Sequence, residues 1–450
     1  MPLLTFHKPF QPGIAGNQAG GQPAAGKSAD PVGDSKIDSK SQNIERQCRR
    51  GGKKVTGGNL QHHNGKSDAE AFKKIEQQNE AGSQPRIPGR IVQNIFRRKA
   101  AGSKTQNDHK DAQLPNGVYP NIIPSPGWGY DWANGTDWTS TNIAVPWKTW
   151  LFYGDDHLLR SMYSNMKAYM DYIERTYPEG LTDWGLGDWI PVKSTSSVEL
   201  TSSIYYYDDA RMMARIAAIT GHDEDVLHYK ELAERIKYLI NKKYLNPDTS
   251  IYASGTETEL AMPLYWNIVP EEYRQKVADN LAAVVREKGL DVGLLGSKAI
   301  LGALSDNGHL DLAFSLASSQ EYPSWGYWLK NEGTTFYENW DLTRIKDLSL
   351  NHMMFGEINA WFYKSLAGIT PDENHPGFYR FNVKPGFAKG LDHFEASFRS
   401  PNGEIRSEWI RKRRTITYSV TVPSNSIAYL TLPDGERELT CGRYTFKIKQ

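Results

Sequence analysis

Residues 324–340 read SWGYWLKNEGTTFYENW, three Trp, two Tyr and one Phe in seventeen positions, with Glu332 and Glu338 among them. A packed core needs rings but rejects unpaired carboxylates, because burial disfavours the charged form. A sugar cleft uses both. Ring faces stack on the C–H faces of pyranoses, while carboxylates hold hydroxyls or move protons. A buried aromatic cluster with a solvated turn at 331–333 would account for this one stretch equally well. Two further stretches weigh against that reading: GWGYDWANGTDW at 127–138 and TDWGLGDW at 182–189. Trp finds its place where the ring packs and the N–H meets a partner. Three loops of the same Trp, acid and Gly composition point to one carbohydrate site.

The elements between these loops are helical. WKTWLFYGDDHLLRSMYSNMKAYMDYIERTY holds two helices split at Gly154–Asp155, and SSIYYYDDARMMARIAAITG predicts an amphipathic helix capped by Gly221. DEDVLHYKELAERIKYLINKKYL carries apolar residues at i, i+3, i+4 and i+7. Further helices are expected in PEEYRQKVADNLAAVVREKG, SKAILGALSDNG, LDLAFSLASS and NHMMFGEINAWFYKSLAGI. Such a series reads as an array of helical hairpins over 111–370. In a closed hairpin barrel, alternate loops gather at one end, which would bring the three Trp-rich loops together. From about residue 376 the texture changes to short β-rich runs, among them FYRFNVKP, RTITYSVTVP and RYTFKIKQ, punctuated by turn residues. They predict an antiparallel β-sandwich over 371–450.

Residues 1–110 differ from both. They contain no Trp and no Tyr, are rich in Gly, Gln, Lys, Ser and Asn, and carry a net charge of +10 against −9 for the remainder. Such a composition cannot bury enough apolar surface to offset chain entropy and predicts disorder, or an N-terminus out of its natural reading frame. The basic runs alone do not argue for a nucleic-acid partner. No apolar run is long enough to span a membrane, and the first residues lack the apolar core of a signal peptide. Cys48 and Cys441 lie in segments of different character, so a disulfide is not expected, and no metal-ligand spacing is present.

From about residue 112 onward the chain resembles family 78 glycoside hydrolases, the α-L-rhamnosidases. The runs that carry the resemblance are AQLPNGVYPNIIP, the PW of IAVPWKTW, LGDW, YYYDDARMMARIA, PEEYRQKVADNL, EYPSWGYWLKNEGTTFYENW, NHMMFGEINAWFYKSLAGI, PGFYRFNVKP and SPNGEIRSEW. The resemblance implies an (α/α)6 barrel followed by a β-sandwich, and inverting hydrolysis of terminal α-L-rhamnosides without metal or cofactor. It places the general base at Glu338, in the Thr-Thr-x-aromatic-Glu-x-Trp run, and makes Glu332 a turn residue. It assigns sugar contacts to His352, Trp138 and Trp189, and leaves Asp188 either to hold a hydroxyl or to cap the next element. Trp340, with Phe336 and Tyr337, would exclude water from Glu338 and stack on the sugar. The expected partner is a rhamnose-containing glycoside or polysaccharide, with no nucleic acid and no membrane. The family's general acid lies in a Cys-Pro-containing segment upstream, where this chain reads KKIEQQNEAGSQPRIPGRIVQ, with no Cys-Pro and no Trp. Neither Glu76 nor Glu80 inherits the role. A non-catalytic sugar-binding remnant and another (α/α)6 glycosidase are the alternatives.

Overall fold

The computed structural model describes residues 108–125, 127–347 and 349–449; Cys48, Glu76 and Glu80 lie outside them, and Cys441 is a free, exposed thiol. Between Thr136 and Trp361 the chain forms helices: α1 (Thr136–Thr139), α2 (Thr141–Tyr153), α3 (His157–Ser161), α4 (Tyr163–Thr176), α5 (Val198–Thr220), α6 (Asp223–Tyr244), α7 (Glu257–Tyr265), α8 (Glu271–Lys288), α9 (Leu294–Asp306), α10 (Leu310–Ser318), α11 (Trp325–Lys330) and α12 (Glu357–Trp361). The stops follow the predicted chemistry. Gly154 and Gly221 cap α2 and α5 in the left-handed region, with φ of 70° and 83°. A two-residue ladder, β1 (Leu245–Asn246) with β2 (Ile251–Tyr252), interrupts the hairpin after α6. It is too short to give a period in the sequence.

Burial sorts the helices into two layers. In α6 a stripe is buried, Tyr229, Leu232, Ala233, Ile236 and Ile240, at the i, i+3, i+4 spacing of a helix covering a core from outside. In α5 fourteen residues are buried on all sides, as an inner helix requires. Helices α2, α5, α7, α9 and α12 form the inner series. The starts of α5 and α7 meet at one end. Ser196 Oγ and Thr256 Oγ1 lie 2.8 Å apart, and Glu259 accepts from the Ser197 N–H at 2.9 Å while completing a capping box with Thr256.

The C-terminal domain begins with β3 (Ile369–Pro371), ahead of the run in which strand texture becomes visible. With β4 (Arg380–Val383), β5 (His393–Ser400), β6 (Gly403–Lys412), β7 (Thr415–Val422), β8 (Ile427–Leu432), β9 (Gly435–Leu439) and β10 (Gly442–Lys449) it makes two four-stranded sheets, ordered β10-β7-β6-β5 and β3-β4-β8-β9. Pairing is antiparallel except between β4 and β8, where Arg380 to Val383 run parallel to Ile427 to Leu430. Strands β7 and β8 alternate buried residues with half-buried or exposed ones, with one face of each turned into the core. No described helix is long and apolar enough to cross a membrane.

Candidate active site

The three Trp-rich loops are joined near the starts of α5 and α9. Asp137 Oδ2 accepts the backbone N–H groups of Leu186 and Gly187 at 2.9 and 2.8 Å, and Thr136 N–H donates to the Trp184 carbonyl at 3.0 Å. The first loop is thereby fixed to the second. Gly135, at φ 140°, permits the approach, since a Cβ there would fall 2.4 Å from the Trp184 carbonyl oxygen. Asp188 joins the second loop to the start of α9. Its Oδ2 accepts from Gly293 N–H at 2.8 Å and from the Thr258 hydroxyl, and its Oδ1 accepts from Leu295 and Gly296 N–H at 2.8 and 3.0 Å. Trp340 carries the connection to the last loop, its Nε1 donating to the Val292 carbonyl at 2.8 Å.

Glu338 is half-buried on that last loop. Its Oε2 accepts the Ser349 N–H at 2.8 Å, while its own N–H donates to the Ser349 carbonyl at 3.0 Å. No described residue hydrogen-bonds to Oε1. One oxygen is thus fixed and the other is open to a proton. Two residues away, the His352 N–H donates to the Phe336 carbonyl at 2.8 Å, so the segments of Glu338 and His352 run side by side. His352 Nδ1 accepts the Met354 N–H at 3.1 Å. An acceptor nitrogen carries no proton, so the neutral ring holds its hydrogen on Nε2, where it faces no described partner.

Trp189 follows Asp188 and remains 38 % exposed, its ring turned out while the carboxylate turns in. Trp138 is half-buried with Nε1 unpaired among the described residues. Glu332 is exposed in a left-handed turn after α11, with φ 66°, as expected for a turn residue. One expectation changes, for Trp340, and one open alternative narrows, for Asp188. Trp340 is 1 % exposed, stacked on Trp328 at 4.8 Å and 18°, and its N–H is spent on Val292, so it forms the floor under the loop and offers no face to a sugar. Asp188 has all its acceptor capacity directed at α9 and Thr258, which makes it a cap and a tie.

Two acids escaped the sequence reading. Burial pushes the Asp137 carboxyl up to about 7 despite its two backbone donors, and Oδ1 lacks a partner among the described residues. Burial likewise pushes Glu257 up to about 8, although its Oε2 accepts the Asp291 N–H at 2.9 Å. The sequence did hold a signal for the first: Asp137–Trp138 repeats the Asp188–Trp189 pair, and in both the Asp ties loops together.

A family model described as the bacterial alpha-L-rhamnosidase 6 hairpin glycosidase domain matches residues 86–366, and one described as the bacterial alpha-L-rhamnosidase C-terminal domain matches 368–446. The chain belongs to the bacterial α-L-rhamnosidase six-hairpin family. An α-L-rhamnosidase of Streptomyces avermitilis is 28 % identical over 339 residues, 72 % of this chain and 32 % of the relative. One from Formosa agariphila is 29 % identical over 322 residues, 67 % of this chain and 34 % of the relative. The chain therefore spans about a third of the length of these curated relatives. Among solved structures, the Dictyoglomus thermophilum α-L-rhamnosidase matches with TM-score 0.71 and 27 % identity, over 77 % of this chain and 43 % of that one. The Streptomyces avermitilis α-L-rhamnosidase complexed with L-rhamnose matches with TM-score 0.70 and 26 % identity, over 77 % and 36 %. In this chain the six-hairpin glycosidase match is followed directly by the match to the C-terminal domain that holds the two sheets.

Proposed function

We propose that this chain binds terminal α-L-rhamnose at the joined loops and hydrolyses rhamnosides by inversion, with Glu338 as general base. The observation that carries the reading is the state of Glu338: one carboxylate oxygen held by the Ser349 N–H, the other unpartnered among the described residues. Such a group can take the proton of a water attacking the anomeric carbon, while the first hydrogen bond keeps it aimed. His352 Nε2–H supplies a donor for a sugar hydroxyl, and the rings of Trp138 and Trp189 supply faces for the sugar's apolar side. The six-hairpin family membership and the rhamnose-bound Streptomyces relative support the choice of rhamnose.

Inversion also needs a carboxylic acid across the ring, about 6.5–9.5 Å from the base, to protonate the leaving oxygen. The stretch at 73–93 lacks the family's Cys-Pro-containing acid segment. We therefore propose turnover reduced by about 10²–10⁴-fold, the usual contribution of general acid catalysis, with sugar binding retained. The test compares wild type, Glu338→Gln and Glu332→Gln on an aryl α-L-rhamnoside, with L-rhamnose binding measured calorimetrically. Glu338→Gln is expected to remove the residual kcat and leave rhamnose affinity within a factor of about two, because the amide keeps size and an acceptor but cannot take a proton. Glu332→Gln is expected to change neither. Wild-type kcat in Glu338→Gln, or no rhamnose binding by the wild type, overturns the reading.

A further inference from the structure

The loop that carries Trp138 also carries two tryptophans for which the rhamnose site has no use. Trp128 and Trp132 are 43 % and 63 % exposed, yet their rings stack on each other at 5.6 Å with only 12° between planes. Stacking covers one face of each ring and leaves the outer faces in solvent. Neither indole N–H meets a described partner. The backbone that presents them is pinned at both ends. Ser125 Oγ accepts from Gly127 and Trp128 N–H at 3.0 and 3.2 Å and donates to the Trp128 carbonyl at 2.7 Å. Asn134 Nδ2 donates to the Tyr119 and Tyr130 carbonyls at 3.0 and 2.9 Å, while its Oδ1 accepts the Trp184 indole N–H at 3.2 Å. The rings are therefore positioned before any ligand arrives, which lowers the ordering cost of binding.

We infer that Trp128 and Trp132 form a platform for the sugar residue that carries the terminal rhamnose, a subsite on the leaving-group side. The inference rests on the proposed rhamnoside function. Placement supports it, since Trp132 and Trp138 are six residues apart, a reach of at most about 20 Å in extended chain, and Asn134 between them is bonded to the loop of Trp189. Chemistry selects a sugar over a flat aryl group. The indole N–H groups, without described partners, and the exposed Asp131 next in sequence to Trp132 supply polar groups that match hydroxyls, while the ring faces match a pyranose C–H face. A purely aryl occupant would use the faces and leave those polar groups idle.

The test uses the full chain and three ligands measured by calorimetry: L-rhamnose, a non-hydrolysed thio-linked α-L-rhamnosyl-glucose, and p-nitrophenyl α-L-rhamnoside at low temperature over minutes. The disaccharide is expected to bind wild type about tenfold more tightly than rhamnose. Trp132→Ala is expected to abolish that advantage without altering rhamnose affinity, and Trp132→Phe to restore part of it. Trp132 is exposed, so its loss leaves the fold intact, and an unchanged melting temperature verifies this. A disaccharide no tighter than rhamnose, or an advantage that survives Trp132→Ala, overturns the platform while leaving the rhamnose site standing. A p-nitrophenyl rhamnoside that gains as much as the disaccharide, and loses as much in Trp132→Ala, overturns the sugar assignment. Concentration-dependent dimerisation that Trp132→Ala removes also overturns it, by assigning the platform to a second copy of the chain. Absence of rhamnose binding by wild type sinks the function on which the inference stands.

Discussion

Asp137–Trp138 and Asp188–Trp189 share a pattern: the carboxylate turns inward to hold a neighbouring segment, while the indole of Trp189 stays exposed and that of Trp138 is half-buried. The inward turn has a cost that depends on pH. Asp137 is pushed up to about 7 and Glu257 to about 8 by burial, so the folded protein holds their protons more tightly than the unfolded chain does. Both contributions are fully present below the unfolded carboxylate range near pH 4, and fade as pH rises through about 7 and 8. Asp137→Asn keeps an acceptor for Leu186 and Gly187 and removes the ionisation. It is expected to match wild type in melting temperature at pH 5 and to exceed it at pH 8.5; a wild type that gains stability from pH 5 to 8.5 relative to the variant contradicts this. His352 is read in the same way. His352→Asn leaves a short acceptor for the Met354 N–H but withdraws the Nε2–H. Rhamnose affinity is expected to fall about tenfold, the worth of one good hydrogen bond, with the melting temperature unchanged. An affinity loss that appears only with unfolding would make His352 a cap alone.

Element boundaries explain what the sequence could and could not disclose. The helices α2 to α6 and α8 to α10 were legible because their apolar periods and stops are local, whereas α7 was not expected, a nine-residue helix with Pro263 inside it. The turn at Glu332 was legible because a short run of residues fixes it. Trp340 was not, because an irregular loop has no period to tell which of its rings points inward, and only the stack on Trp328 decides it. Asp188 was left between two roles because its partners, Gly293 to Gly296 and Thr258, lie far along the chain, at the start of α9 and in α7. The cap has a measurable consequence. Asp188→Ala strands three backbone N–H groups and one buried hydroxyl, and is expected to cost about 2–4 kcal/mol by denaturant unfolding, with rhamnose affinity little changed in the fraction that remains folded. Asp188→Asn, which keeps one acceptor, is expected to lose about half as much. Had Asp188 held a sugar hydroxyl instead, affinity would fall and stability would not.

The helical domain and the sandwich are joined through apolar contact as well as by the chain itself. Phe152 at the end of α2 meets Phe378 and Phe398 edge-on at 5.7 and 6.1 Å, and the Gly377 N–H donates to the Leu151 carbonyl at 2.9 Å. Further along, Arg211 and Arg215 of α5 reach Glu373, and Ser407 of β6 donates to the Ala367 carbonyl at 2.7 Å. Exposed ion pairs such as Arg211–Glu373 contribute little, so the rings carry the junction. Phe378 is 1 % exposed, and its ring touches both the helical side and the strand residues Phe381 and Phe398. Removing it leaves a cavity that neither side can close alone. Phe378→Ala is therefore expected to cost about 3–5 kcal/mol and to lower a single transition followed by both helical and strand signals. If the two parts are independent, calorimetry will resolve two transitions and only the strand one will move. Coincident loss is the outcome that a shared aromatic junction demands, and it would mean that the loop bearing Glu338 depends for its stability on the C-terminal sheets as well as on the helices.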